Sequence, residues 1–121
     1  MRTAVITGVA QGIGQRLATG FSEAGYRVLS MDIRPGAHVQ GDLSSQADLD
    51  TFLRYIRAKT DQVDVLINNA MQSSGGLHQA DYDAFNRALR IGITAPYYLT
   101  QQLEPLFAPG ASIINILSSR M

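Results

Sequence analysis

The 121-residue chain has no cysteine, one lysine (Lys59), two histidines and no surplus of either charge, with ten basic and ten acidic side chains. Without cysteine there are no disulfides, thiolate nucleophiles or cysteine-based metal sites, and two isolated histidines cannot build a zinc site unaided. The even charge balance leaves no electrostatic footprint for nucleic acid or an anionic membrane, so neither is expected as a partner. No apolar run approaches a membrane span, and the first residues reach Gly8 before any signal-length apolar stretch develops, which makes a cytoplasmic protein the expectation. Internal repeats, linkers, charge blocks and low-complexity segments are also missing, so residues 1–121 read as at most one domain. That length is enough to bury a core.

What is present begins with Thr7-Gly8-Val9-Ala10-Gln11-Gly12-Ile13-Gly14, directly after the apolar run Ala4-Val5-Ile6. Three glycines therefore sit where a first buried strand turns into a first helix. In such a turn Gly8 lets the chain reverse, Gly12 lets backbone approach a pyrophosphate, and Gly14 lets the helix pack closely against the sheet. The helix start, with Gln11 and Ile13, then turns bare N–H groups and a positive dipole end toward the ligand.

The following segments fall at the distances this reading requires. Ile13, Leu17, Gly20, Phe21 and Ala24 recur at helical spacing, and Gly25 ends that helix in a left-handed cap. Tyr26 to Met31 reads as a second strand ending in Asp32-Ile33, where an acidic group can accept hydrogen bonds from ribose hydroxyls and repel a 2′-phosphate. This favours NAD over NADP. Arg34 pulls the other way, because a guanidinium at that corner can pair with a 2′-phosphate.

His38-Val39-Gln40 reads as a short third strand leading to Asp42-Leu43, and Ser45 to Asp48 as a capping box opening a helix with Leu49, Phe52, Leu53 and Ile56 on its apolar stripe. Val63 to Ile67 is a buried strand ending in Asn68-Asn69-Ala70, followed by a glycine-rich loop. From Asp81, which caps it, a long helix is expected to carry Tyr82, Phe85, Leu89, Gly92, Pro96, Leu99, Leu103 and Leu106 as one continuous buried seam, broken by Pro109-Gly110. Ser112 to Leu117 is a fifth strand. Strands alternating with helices, joined by right-handed crossovers, predict an α/β Rossmann-like doubly wound parallel sheet of order 3-2-1-4-5.

Taken together, these motifs resemble the short-chain dehydrogenase/reductase family along essentially the whole chain. The resemblance implies Gly8, Gln11, Gly12, Ile13 and Gly14 at the cofactor phosphates, Asp32 and Ile33 at the ribose, Asp42 and Leu43 beside the adenine, and Asn69 and Ala70 after the fourth strand. It also implies that Ser118 polarises the carbonyl or hydroxyl of a small-molecule substrate, and that full-length members pair through the long helix. In this form of the chain, that helix or the exposed edge of the fifth strand is expected to mediate self-association.

Three departures stand out. Met71 replaces the glycine of the family's Asn-Asn-Ala-Gly, and Gly92 occupies the place of a catalytic asparagine. Because Pro96 has no N–H for the Gly92 carbonyl, a kink there is expected. The family's Tyr-x-x-x-Lys pair lies on a helix after the serine, and this chain ends before any such helix, so the sheet is incomplete relative to the family. A literal match, Tyr55 to Lys59, precedes the serine and falls at the wrong end of the sheet, ~15 Å from the cofactor edge along the helix axis. The reading is the amino-terminal, cofactor-binding half of an NAD(P)-dependent oxidoreductase, inactive alone. An inactive nucleotide-binding or interaction module, and a truncated product without independent function, stay open.

Overall fold

In a computed structural model that describes residues 1–72, 75–76 and 78–117, five parallel strands form one sheet of order β3-β2-β1-β4-β5. The strands are β1 Thr3–Thr7, β2 Arg27–Asp32, β3 Val39–Gln40, β4 Val63–Asn68 and β5 Phe107–Asn115. The helices are α1 Gly12–Glu23, α2 Gln46–Lys59, α3 Tyr82–Leu89 and α4 Ala95–Leu103. The predicted order is the observed one.

Alternation along the strands divides the core in two. Ala4 and Ile6 of β1, with Val65 and Ile67 of β4, face α1, where Leu17, Ala18 and Phe21 cover them. Val5, Leu29, Met31 and Leu66 point the other way, onto Leu49, Phe52, Leu53 and Ile56 of α2 and Leu99 and Leu103 of α4. The central strand β1 is buried along its whole length, as a strand covered on both faces must be.

The connection after Asp81 departs from the expected continuous helix. Its α-helical ladder is interrupted by a π-helical turn at Arg90–Thr94, immediately before Pro96, and resumes as α4, followed by a 3₁₀ turn at Glu104–Leu106. In this π turn the Ala95 N–H donates to the Arg90 carbonyl five residues back. Its extra residue shifts the buried line. Ile91, Ala95, Leu99 and Leu103 are buried, whereas Tyr82, Phe85 and Leu89 at the start of the predicted seam are exposed.

Two smaller expectations are corrected. Pro109-Gly110 does not end the helix, which Pro105 has already stopped; it lies inside β5, where the pairing jumps from Val63–Phe107 to Val65–Ser112. A bulge absorbs the proline that lacks a ladder donor and the glycine at φ 80°. The capping box is only half formed. The Ser45 hydroxyl accepts from the Asp48 N–H at 3.2 Å, but the Asp48 carboxylate accepts from the Asp42 N–H at 2.8 Å instead of returning to Ser45.

Candidate dinucleotide site

A cavity of about 490 Å³ opens at the carboxyl ends of β1, β2 and β4. Around it the structure brings together Gly8, Gln11, Gly12, Ile13, Asp32, Ile33, Asp42, Leu43, Asn69 and Ala70, ten of the eleven residues expected at a cofactor. Gly14 is not on the wall, and Ser118 lies outside the described residues. Strands that end at one edge of a parallel sheet leave a crevice beyond that edge, which is why residues far apart in sequence meet there.

The three glycines of the first turn do different work. At Gly14 a Cβ would lie 1.7 Å from the Gly8 carbonyl oxygen and 2.5 Å from Asn69 Nδ2, so α1 packs on the preceding turn as closely as backbone permits. Gly8, at φ 77°, would push a Cβ to 2.9 Å from Ala70 Cα. Asn69 locks this contact by donating its side-chain N–H to the Gly8 carbonyl at 2.9 Å, while the Thr7 hydroxyl accepts from the N–H groups of Asn69 and Ala70, both at 3.2 Å. Gly12 differs from both. Its φ is 60° and nothing lies within 4 Å of its Cβ direction, so bare backbone borders the cavity.

The amino end of α1 is also bare. Ser45 caps α2 and Asp81 caps α3, its carboxylate accepting from the Ala84 N–H at 2.7 Å, but Gln11 makes no side-chain cap to α1 and no acidic residue occupies its first turn. Unsatisfied N–H groups and the dipole end thus border the same cavity as Gly12, a combination that suits phosphate oxygens.

Asp32 ties the loop to the end of β2. One carboxylate oxygen accepts from the Ala10 N–H at 2.9 Å and the other from the Arg34 N–H at 2.8 Å. The Arg34 guanidinium turns to the side-chain oxygen of Gln11, across the mouth of the cavity. On the far wall Asp42 accepts from Arg87 Nη1 at 2.8 Å, and from the Ser44 N–H and hydroxyl at 2.9 and 2.7 Å. Burial alone would push the Asp42 carboxyl up, but these donors outweigh it and hold it below the usual carboxylate range.

Arg87, Ile91, Gly41 and Ile116 line the cavity without having been singled out from sequence, and Gln72, which opens the glycine-rich loop after β4, lines it too. A signal existed for two of them: Arg87 and Ile91 are four residues apart and so share a helix face.

Tyr55 and Lys59 lie elsewhere. Tyr55 stacks on His38 with ring centroids 6.0 Å apart, Lys59 sits 5.5 Å from the Tyr55 ring, and the Lys59 carbonyl accepts from Arg27, the first residue of β2. The cavity borders Asp32, the last residue of that strand, about 17 Å along the chain direction.

With fold and cavity defined, comparison with known proteins settles the class. The family model for short chain dehydrogenases matches residues 2–120, and the chain belongs to that family of oxidoreductases. An uncharacterized oxidoreductase of Bacillus subtilis, YxbG, is 32% identical over 97% of this chain and 50% of its own length. Among solved structures, a 3-ketoacyl-(acyl-carrier-protein) reductase from Brucella melitensis complexed with NADH is 27% identical, with a TM-score of 0.84 over 97% of this chain and 57% of that one. A Pseudomonas aeruginosa RhlG/NADP active-site complex is 29% identical, also with a TM-score of 0.84, over 97% of this chain and 54% of that one. The chain spans about half the length of the relatives it matches. Among the described residues no helix is long and apolar enough to cross a membrane, and no group of metal-ligating side chains is assembled.

Proposed function

We propose that this chain is the dinucleotide-binding, amino-terminal half of a short-chain dehydrogenase/reductase that transfers hydride reversibly between NAD(H) and an alcohol or carbonyl compound. The observation that carries the proposal is the meeting of Gly12, with its open backbone, and the uncapped start of α1 at one cavity with Asp32 and Asp42. Residues 8–14 would hold the phosphates, Asp32 and Ile33 the ribose, Asp42 and Leu43 the adenine, and Asn69, Ala70 and Met71 the nicotinamide side. The cofactor supplies the hydride acceptor or donor; the chain binds it and orients it.

Preference for NAD over NADP rests on the Asp32 carboxylate, which two main-chain N–H groups anchor beside the cavity. A 2′-phosphate there meets a fixed negative charge, while the Arg34 guanidinium is engaged by Gln11. Titration with NADH and NADPH tests this: NADH binds more tightly, and Asp32→Ala narrows the difference. Tighter NADPH binding by the wild-type chain transfers the 2′ corner to Arg34.

Chemistry at a carbonyl also needs a proton donor, whose loss typically costs a factor of about 10² to 10⁴ in rate. The 121-residue chain alone is therefore expected to be inactive toward a panel of carbonyl compounds. It is also expected to self-associate, because the edge strand β5 exposes Ile113 and Ile114. Joining a carboxyl-terminal segment that contains Tyr-x-x-x-Lys should suppress association and create NADH oxidation that depends on Ser118. A monomeric, active 121-residue chain would overturn the assignment.

A further inference from the structure

Helix α3 contributes no buried residue and no member to either core cluster. Among the described residues, its side-chain hydrogen bonds to other elements come from one group: Arg87 Nη1 donates to Asp42 Oδ2 at 2.8 Å and to Ser44 Oγ at 2.7 Å. The receiving end is held as firmly. The Asp42 main chain is fixed by the Asp48 carboxylate, and Asp42 Oδ1 accepts both from the Ser44 N–H and from the Ser44 hydroxyl. Arg87, Ser44 and Asp42 thus close a triangle, and two of its corners, Arg87 and Asp42, line the cavity.

A carboxylate offers about four acceptor positions, and the donors just named occupy all but one, on Oδ2. The group left to a ligand is a single acceptor, part-buried and unable to donate while ionised. Such an acceptor distinguishes the two forms that a purine takes at C6. An amino group donates to it, whereas a carbonyl presents lone pairs to a fixed negative charge and gains nothing.

We propose that Arg87 is a positioning residue of the dinucleotide pocket: by pinning Asp42 as a one-site acceptor it selects a 6-amino over a 6-oxo purine, and by the same contact it docks α3 against the cavity. This rests on the reading of the cavity as a dinucleotide site. Sequence separation hides the pairing, since the partners are 45 residues apart.

The test compares NADH with reduced nicotinamide hypoxanthine dinucleotide, which has a carbonyl where adenine has its amino group, by fluorescence titration of the full chain. The wild type should favour NADH by about tenfold or more, the size expected when one charge-assisted hydrogen bond is made or lost. Arg87→Met should weaken NADH by about that factor while changing the hypoxanthine analogue much less, so that discrimination collapses. Arg87→Lys should recover most of it, because one ammonium can serve both Asp42 and Ser44. Arg87→Gln replaces Arg87→Met if circular dichroism shows that the latter does not fold.

Equal loss of both dinucleotides, or discrimination unchanged in the variant, would mean that Arg87 only braces the fold and would overturn the inference alone. A wild type that binds NADH without preferring it does the same. A wild type that binds neither dinucleotide overturns the reading of the cavity, and this inference with it.

Discussion

Alanine substitution at three glycines of α1 should separate the structural role of the glycine-rich turn from its proposed role at the phosphates. At Gly14 the new Cβ would stand 1.7 Å from the Gly8 carbonyl oxygen, a backbone atom that cannot swing aside. Gly8 is itself held at φ 77° and by the Asn69 side chain at 2.9 Å, so relief requires the turn and α1 to part by roughly 1 Å or more. Overpacking of this kind costs about 1–3 kcal/mol, and disturbing the Asn69–Gly8 hydrogen bond adds about 1 kcal/mol. The better helix propensity of alanine returns about 1 kcal/mol. The net loss, about 1–3 kcal/mol, corresponds to a fall in melting temperature on the order of 10 °C for a chain of this size.

Gly12→Ala meets no atom within 4 Å and pays only for its left-handed backbone, about 1–2 kcal/mol, yet it places a methyl at the cavity wall. Gly20, exposed inside α1 with open space around it, should gain about 0.5–1 kcal/mol as alanine. Thermal unfolding followed by circular dichroism should therefore rank the chains Gly20→Ala, wild type, Gly12→Ala, Gly14→Ala from most to least stable. NADH titration should single out Gly12→Ala as the variant that folds but binds poorly. A Gly14→Ala chain as stable as wild type would refute the packing argument, and a Gly12→Ala chain with unchanged affinity would refute the placement of the phosphates.

Gln11→Asp should stabilise the free chain by about 0.5–1 kcal/mol, by capping α1 and complementing its dipole, while weakening NADH binding because the new carboxylate competes with phosphate; titration and thermal melts read both effects. Tyr55→Phe and Lys59→Ala should leave NADH affinity within about twofold, since neither lines the cavity: Tyr55 stacks on His38, and the Lys59 carbonyl meets Arg27 at the start of β2; a hundredfold loss with folding intact would contradict the geometry. Asp42, held below its usual range, stabilises the fold at pH values above its unfolded pKa of ~3.9, and that contribution is lost as pH falls through its lower folded value. With Asp42 and Arg87 each roughly 30% exposed the effect is under about 1 kcal/mol, and acid titration of Asp42→Asn should show a correspondingly shallower loss of stability below pH ~4.

How much of this was legible in the sequence depended on range. The strands were bounded by local signals, with apolar runs ending in Asp32, Asn68 or Gly8, and right-handed crossovers turned that list into the observed order. Of the ten cavity residues, the glycine turn and Asp32 were legible from such local signals, whereas Asp42, Leu43, Asn69 and Ala70 were placed by the resemblance to the family. What escaped the sequence depends on competition between nearby partners or on pairings across the fold. The long helix has a clean three- and four-residue apolar rhythm, but Pro96 withdraws a donor and the ladder accommodates by a π turn, which shifts the buried line to Ile91 and Ala95. Asp48 carries the spacing of a capping box, yet the Asp42 N–H captures its carboxylate. Arg87 meets Asp42 only once α2 and β4 have carried the chain back across the sheet.

The way the helices begin bears on the proposed phosphate site. Side-chain caps are worth about 1 kcal/mol each, and the described chain uses Ser45 on α2 and Asp81 on α3. At α1 the backbone of Gln11 is extended, the conformation a capping residue needs, but its side-chain oxygen accepts from Arg34 instead of from the helix. The residues around it are held tightly by Asn69, Thr7 and Asp32, so the bare N–H groups are not a symptom of loose structure. A rigid turn that leaves its own donors without a side-chain partner is preorganised for an anion: the ordering cost is met in folding, and a phosphate that arrives supplies acceptors the chain withholds. The same economy governs Asp42, which is saturated on one oxygen and left with one position on the other, so both ends of the cavity are built as incomplete hydrogen-bond sets on a fixed frame.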